Sequence, residues 1–138
     1  MKGKPVNRRL SQLVLALFAL GFGLLTIISG GHVLFGDEAA RRSVGHYVPF
    51  VLWFNFIAGF AYVSAGFGIL RSHPWAAKLA LGIAVTTFLV FVSLGIHIAM
   101  GGAFEVRTIV AMTFRTLTWC AIYIVLSRFL IQSRKLTQ

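Results

Sequence analysis

Four long apolar runs constrain this chain more than any other feature, and no Asp or Glu falls within any of them. They extend from Leu10 to Phe35, Tyr47 to Leu70, Leu79 to Met100 and Thr108 to Leu130. Each is close to the roughly 20 residues that an α-helix needs to cross a hydrocarbon core. Inside a bilayer every backbone N–H and C=O must be satisfied within the segment, so runs of this length predict helices. The connections Gly36–His46, Arg71–Lys78 and Gly101–Arg107 are short, which predicts antiparallel neighbours. The expected fold is an all-α integral membrane protein: one up-and-down bundle of four transmembrane helices spanning residues 1–138, with no linker or second domain.

Composition argues the same way. Of the 138 residues 58% are hydrophobic and 12% charged, with a mean hydropathy of +0.86. A soluble domain carries about 25% charged residues. The net charge of +10 would suggest nucleic acid in a soluble protein. Here the cations flank the spans instead. Lys2, Lys4, Arg8 and Arg9 precede the first, Arg71 and Lys78 bracket the middle loop, and Arg128, Arg134 and Lys135 follow the last. The other two loops hold Arg41, Arg42 and Arg107 together with all three acids, Asp37, Glu38 and Glu105. The excess of Lys and Arg on one side predicts cytoplasmic termini and a multi-pass protein of a cell inner membrane, with the lipid bilayer as partner and no nucleic acid. The basic start followed by an apolar stretch reads as an uncleaved anchor: Leu13–Ile28 is long for a signal sequence, and no Ala-x-Ala site follows.

Polar residues within the spans gather in the expected outer half. Asn55, Gly59, Tyr62 and Gly66 share a face of span two, beside a face of small residues, Ala58, Ala61, Ala65 and Gly68. Such faces suit close helix packing, inside the chain or in a homodimer. Gly82, Thr86, Ser93 and His97 form a stripe on span three, and His32 stands at a similar depth on span one. Arg115 begins about nine residues below the outer end of span four, roughly 12 Å down. A charge there costs on the order of 3 kcal/mol if it faces lipid. Arg115 is therefore expected to point into the bundle, toward Asn55 and His97, with Glu105 in the loop above. Gly30–Gly31, Gly45 and Gly101–Gly102 look like helix-end glycines.

From Phe54 the chain reads Phe-Asn-Phe-Ile-Ala-Gly-Phe-Ala-Tyr-Val-Ser-Ala-Gly-Phe-Gly-Ile-Leu, then a basic turn, Trp-Ala-Ala-Lys and an apolar span ending in Gly-Ile-His97. This resembles the DoxX-like group of small four-helix membrane proteins over spans two and three, about a third of the chain. The resemblance implies a four-span fold and a quinone-coupled or respiratory-chain-associated role. In that group a carboxylate is common near the position of Asn55, where this chain has an amide.

The absence of a carboxylate within a span argues against proton-coupled cation export, and the single Cys120 against thiol-redox chemistry. The expected function is non-catalytic. Arg115, Asn55, His97, His32, Glu105 and Tyr62 are the candidate residues for binding, or helping to move, a small anionic or amphipathic molecule. Support of a larger membrane complex is the other form of this reading, and neither form requires a cofactor. The alternative is a redox subunit holding haem b or quinone between His32 and His97, or copper at His97 and Met100 together with His32 or Met112.

Overall fold

The computed structural model describes residues 5–135, with side chains from Asn7 onward; Lys2 and Lys4 lie outside the described residues. The elements are α1 (Pro5–Phe35), α2 (Glu38–Ser43), α3 (Pro49–Leu70), α4 (Trp75–Ala99) and α5 (Val106–Lys135). All are helices, and the four long ones are each long and apolar enough to cross a membrane. Their limits differ from those of the hydrophobic runs. α1 and α4 begin several residues earlier and α5 ends at Lys135, because Arg, Lys and Gln are good helix formers and polarity does not end a helix. Segment 36–46 is not all loop. Asp37 caps α2, its carboxylate accepting the Ala40 N–H at 2.9 Å, the arrangement that an Asp before Glu-Ala-Ala favours.

The most extensive packing joins α1 to α3. Glycine makes it possible. A Cβ on Gly59 would stand 2.7 Å from Ile27 Cγ1 and 3.1 Å from the Gly23 carbonyl, and one on Gly66 would stand 3.0 Å from the Leu20 nitrogen. Without a hydrophobic drive between helices in lipid, such close backbone approach supplies the attraction. The small-residue face of α3 is thus used within the chain: Ala58, Ala65 and Gly68 are buried too. α4 packs on α5 and, less extensively, on α3. Gly30 and Gly31 do not end α1. They lie within it, and Gly30 packs closely on Phe56.

Two clusters make up the core. The larger contains Tyr62, Trp119 and a set of alanines from α1, α3 and α4. The smaller joins Val48, Val51, Leu94 and Met112 near the end that carries the acids. Outside both, side chains such as Leu25, Phe60, Phe88 and Leu117 are exposed, as a lipid-facing surface would be. The polar stripe predicted on α4 lies on this outside. Thr86 and Ser93 are exposed and bond back to the Gly82 and Leu89 carbonyls, as hydroxyls in apolar helices do.

At the opposite, basic end, α1 is tied to its neighbours. Arg8 Nη2 donates to the Phe129 carbonyl at 2.7 Å and to Ser133 Oγ at 2.6 Å. Gln12 Nε2 donates to the Ile69 carbonyl at 2.6 Å and to Ser72 Oγ. Ser72 takes φ +58 in the turn that ends α3, and the His73 N–H reaches back to the Gly68 carbonyl. Glycine usually fills such a left-handed position; here the bond from Gln12 holds the serine.

Candidate functional site

A cavity of about 210 Å³ opens at the acidic end, between α1, the segment after α2, α3 and α5. Its walls are apolar, from Val33, Val48, Val51 and Ala111, with Thr26 and Ser29 on the α1 side. Asn55 and Arg115 line it at depth, and Glu105, Arg107 and Tyr47 line it nearer the loops. Side chains tilt toward the start of their helix, and Arg115 lines this space from α5 with its guanidinium turned toward Phe22 of α1.

Below the cavity is an aromatic layer. The Arg115 guanidinium sits 5.6 Å from the Phe22 ring centroid, a contact worth about 0.5–2 kcal/mol when partly desolvated. Phe22 stacks on Tyr62 at 5.4 Å, and Tyr62 meets Trp119 at 4.7 Å. Tyr62 and Trp119 are fully buried.

Several polar atoms here lack hydrogen-bond partners. Arg115 Nε, Asn55 Oδ1, the Tyr62 and Thr87 hydroxyls and the Trp119 indole nitrogen are all buried and unpaired. The Tyr62 hydroxyl is close enough to Thr87, Arg115 and Trp119 to interact electrostatically, yet no bond among them closes within ordinary limits. Each unsatisfied buried group costs about 1–3 kcal/mol. Arg115 Nε and Asn55 Oδ1 are a donor and an acceptor left over on residues that line one cavity.

Glu105 is held at the entrance. Its Oε1 accepts the His46 N–H at 2.8 Å and lies 3.6 Å from His46 Nδ1. Gly45, at φ +70, passes so close that a Cβ would collide with this carboxylate.

Of the candidates read from the sequence, the structure brings Arg115, Asn55 and Glu105 to one cavity and sets Tyr62 beneath it. His97 and His32 lie elsewhere. His97 belongs to α4, which contributes nothing to the cavity lining. Its Nε2 lies 3.1 Å from the Ala103 carbonyl and its ring meets Phe50. The Arg115 neighbours are therefore Tyr62 and Phe22, not His97. His32 is exposed on α1, and Met100 is 82% exposed. Met112 is buried in the smaller core cluster. Among the described residues no three of His, Cys, Asp and Glu are placed to hold a metal.

Sequence reasoning missed Thr87 and Trp119. Trp119 was findable, because Met112, Arg115, Trp119, Ile122 and Leu126 follow a helical three-and-four spacing that marks the inward face of α5. Thr87 had no such signal: adjacent Thr86 has the same chemistry and faces outward. Comparison with protein-family models, with curated proteins and with solved structures found no match to this chain.

Proposed function

We propose that this protein is a non-catalytic, multi-pass protein of a cell inner membrane, an up-and-down four-helix bundle with cytoplasmic termini. It binds, or helps to move, a small amphipathic anion through the cavity at the acidic end, which then faces outward. The observation that carries this reading is the Arg115 guanidinium, which lines an apolar-walled cavity and has no acceptor for its Nε. A partly buried cation without a carboxylate at its own depth is costly, and such groups in membrane spans mark ligand or ion sites. A carboxylate or sulfonate would occupy the guanidinium fork, its apolar part would meet Val33, Val48 and Val51, and a donor on the ligand would satisfy Asn55 Oδ1. The DoxX-like resemblance supports the four-span reading and adds nothing to the choice of ligand.

Octanoate and octanol provide the test, as probes of equal chain length that differ in charge. Thermal unfolding of the purified protein in a non-ionic detergent should shift upward with octanoate and little with octanol. Arg115→Lys should weaken the octanoate effect about tenfold, since Lys lacks the planar fork, and Arg115→Leu should abolish it. Equal shifts from both probes, or an undiminished octanoate shift in Arg115→Leu, would overturn the reading.

A further inference from the structure

The basic end carries a second cavity, of about 350 Å³, between the start of α1, the turn before α4 and the end of α5. It is separate from the outer cavity and shares no lining residue with it. The three Asp and Glu residues lie in or beside the loops of the other end, so among the described residues no carboxylate at this end offsets its positive field.

Arg8, Arg9 and His73 line the mouth. Arg8 is already engaged. Its bonds to the Phe129 carbonyl and Ser133 Oγ, with its guanidinium 5.3 Å from the Phe129 ring, clamp α1 to α5 and fix one cation at the rim. Arg9 is exposed, lines the same space and has no hydrogen-bond or ion-pair partner among the described residues. The deeper walls are apolar: Ala77 is buried, and Leu126 and Leu130 extend along α5. α4 begins here with no side-chain cap, so its first N–H groups add positive potential to that of the arginines.

A cationic rim over an apolar crevice, at the level where the helices leave the hydrocarbon zone, matches a molecule with an anionic head and an acyl tail. The geometry points to a site for a single anionic phospholipid: the phosphodiester lies between Arg9 and His73, with Arg8 behind it, and an acyl chain runs along Leu126 and Leu130. Arginine suits this task because its planar donors take two phosphate oxygens together. The site does not depend on what the outer cavity binds.

Native mass spectrometry after reconstitution in phosphatidylcholine, with and without phosphatidylglycerol, tests the assignment. The intact protein should retain one phosphatidylglycerol per chain in preference to phosphatidylcholine, and excess inorganic phosphate should not displace it. Because Arg8 holds α1 to α5, its removal can unfold the protein, so the variant to use is Arg9→Gln, which breaks no hydrogen bond or ion pair among the described residues. Retention should fall about tenfold in Arg9→Gln, the size of one lost charge-assisted contact. Lys78→Gln removes a charge from the same end outside the cavity and should leave retention unchanged. Equal losses in the two variants would show only a diffuse attraction between surface charge and headgroups, and would overturn the site. So would equal retention of phosphatidylcholine. Displacement by inorganic phosphate would overturn the lipid assignment in favour of a free anion. Unfolding midpoints of both variants without lipid should match the parent, which separates loss of binding from loss of fold.

Discussion

Replacing Gly59 by alanine tests whether the α1–α3 seam holds this bundle together. Two effects oppose each other. In an open helix interior, Gly→Ala gains about 1 kcal/mol from reduced backbone entropy and better propensity. At Gly59 the new methyl would stand 2.7 Å from Ile27 Cγ1, 3.1 Å from the Gly23 carbonyl and 3.2 Å from the Ile27 nitrogen. The Ile27 side chain can rotate away; the two backbone atoms cannot. α1 must then move off α3 by several tenths of an ångström along their closest contact. Overpacking of this kind costs about 1–3 kcal/mol, so the net expectation is a loss of about 1 kcal/mol. Gly82 supplies the control, because nothing lies within 4 Å of a Cβ there, and Gly82→Ala should stabilise by up to about 1 kcal/mol. The two variants should therefore differ by about 2 kcal/mol in reversible unfolding from mixed micelles of a mild detergent and dodecyl sulfate. The displacement should also reshape the cavity at the acidic end, since Thr26, Ser29 and Gly30 are carried on α1. Equal stability of the two variants would refute the reasoning, because the seam would then tolerate a methyl that its geometry forbids.

Three further outcomes are expected. Thr87→Val keeps the side-chain shape and removes a fully buried hydroxyl that has no partner, so its unfolding midpoint should equal or exceed that of the parent; a loss above about 1 kcal/mol would mean that the hydroxyl is bonded. Gly45→Ala should cost about 1–2 kcal/mol, because residue 45 needs φ +70 and its Cβ would push the Glu105 carboxylate from the His46 N–H; slow amide exchange at His46 in the variant would contradict this. His97→Ala should leave the octanoate response intact, since His97, on α4, bonds the Ala103 carbonyl in the following loop and lines no part of the cavity; loss of that response would place His97 in the site after all.

Hydropathy alone suffices for the number of long helices and their approximate extent, because the bilayer imposes a length and forbids unsatisfied backbone. It also points to Arg115 and Asn55, since a charge or amide deep in an apolar run has few tolerable places to go. Hydropathy did not mark the helix ends at Pro5, Trp75 and Lys135 or the short α2, because helices continue through Arg, Lys and Gln, and Asp37 caps α2 inside a nominal loop. Which polar residues meet depends on how the helices pack. Depth along a helix is readable from residue counting, but azimuth depends on which neighbour each helix packs against. Gly23, Gly59 and Gly66 draw α1 onto α3, and the cavity at the acidic end forms between that pair and α5, without α4. His97, at a depth that suited a partner for Arg115, is therefore outside the cavity, as Thr86 is outside the core while Thr87 is within it. The cavity at the basic end was equally invisible, because Arg8, Arg9, His73 and Leu126 come from three separate segments and meet only when α1 closes against the end of α5.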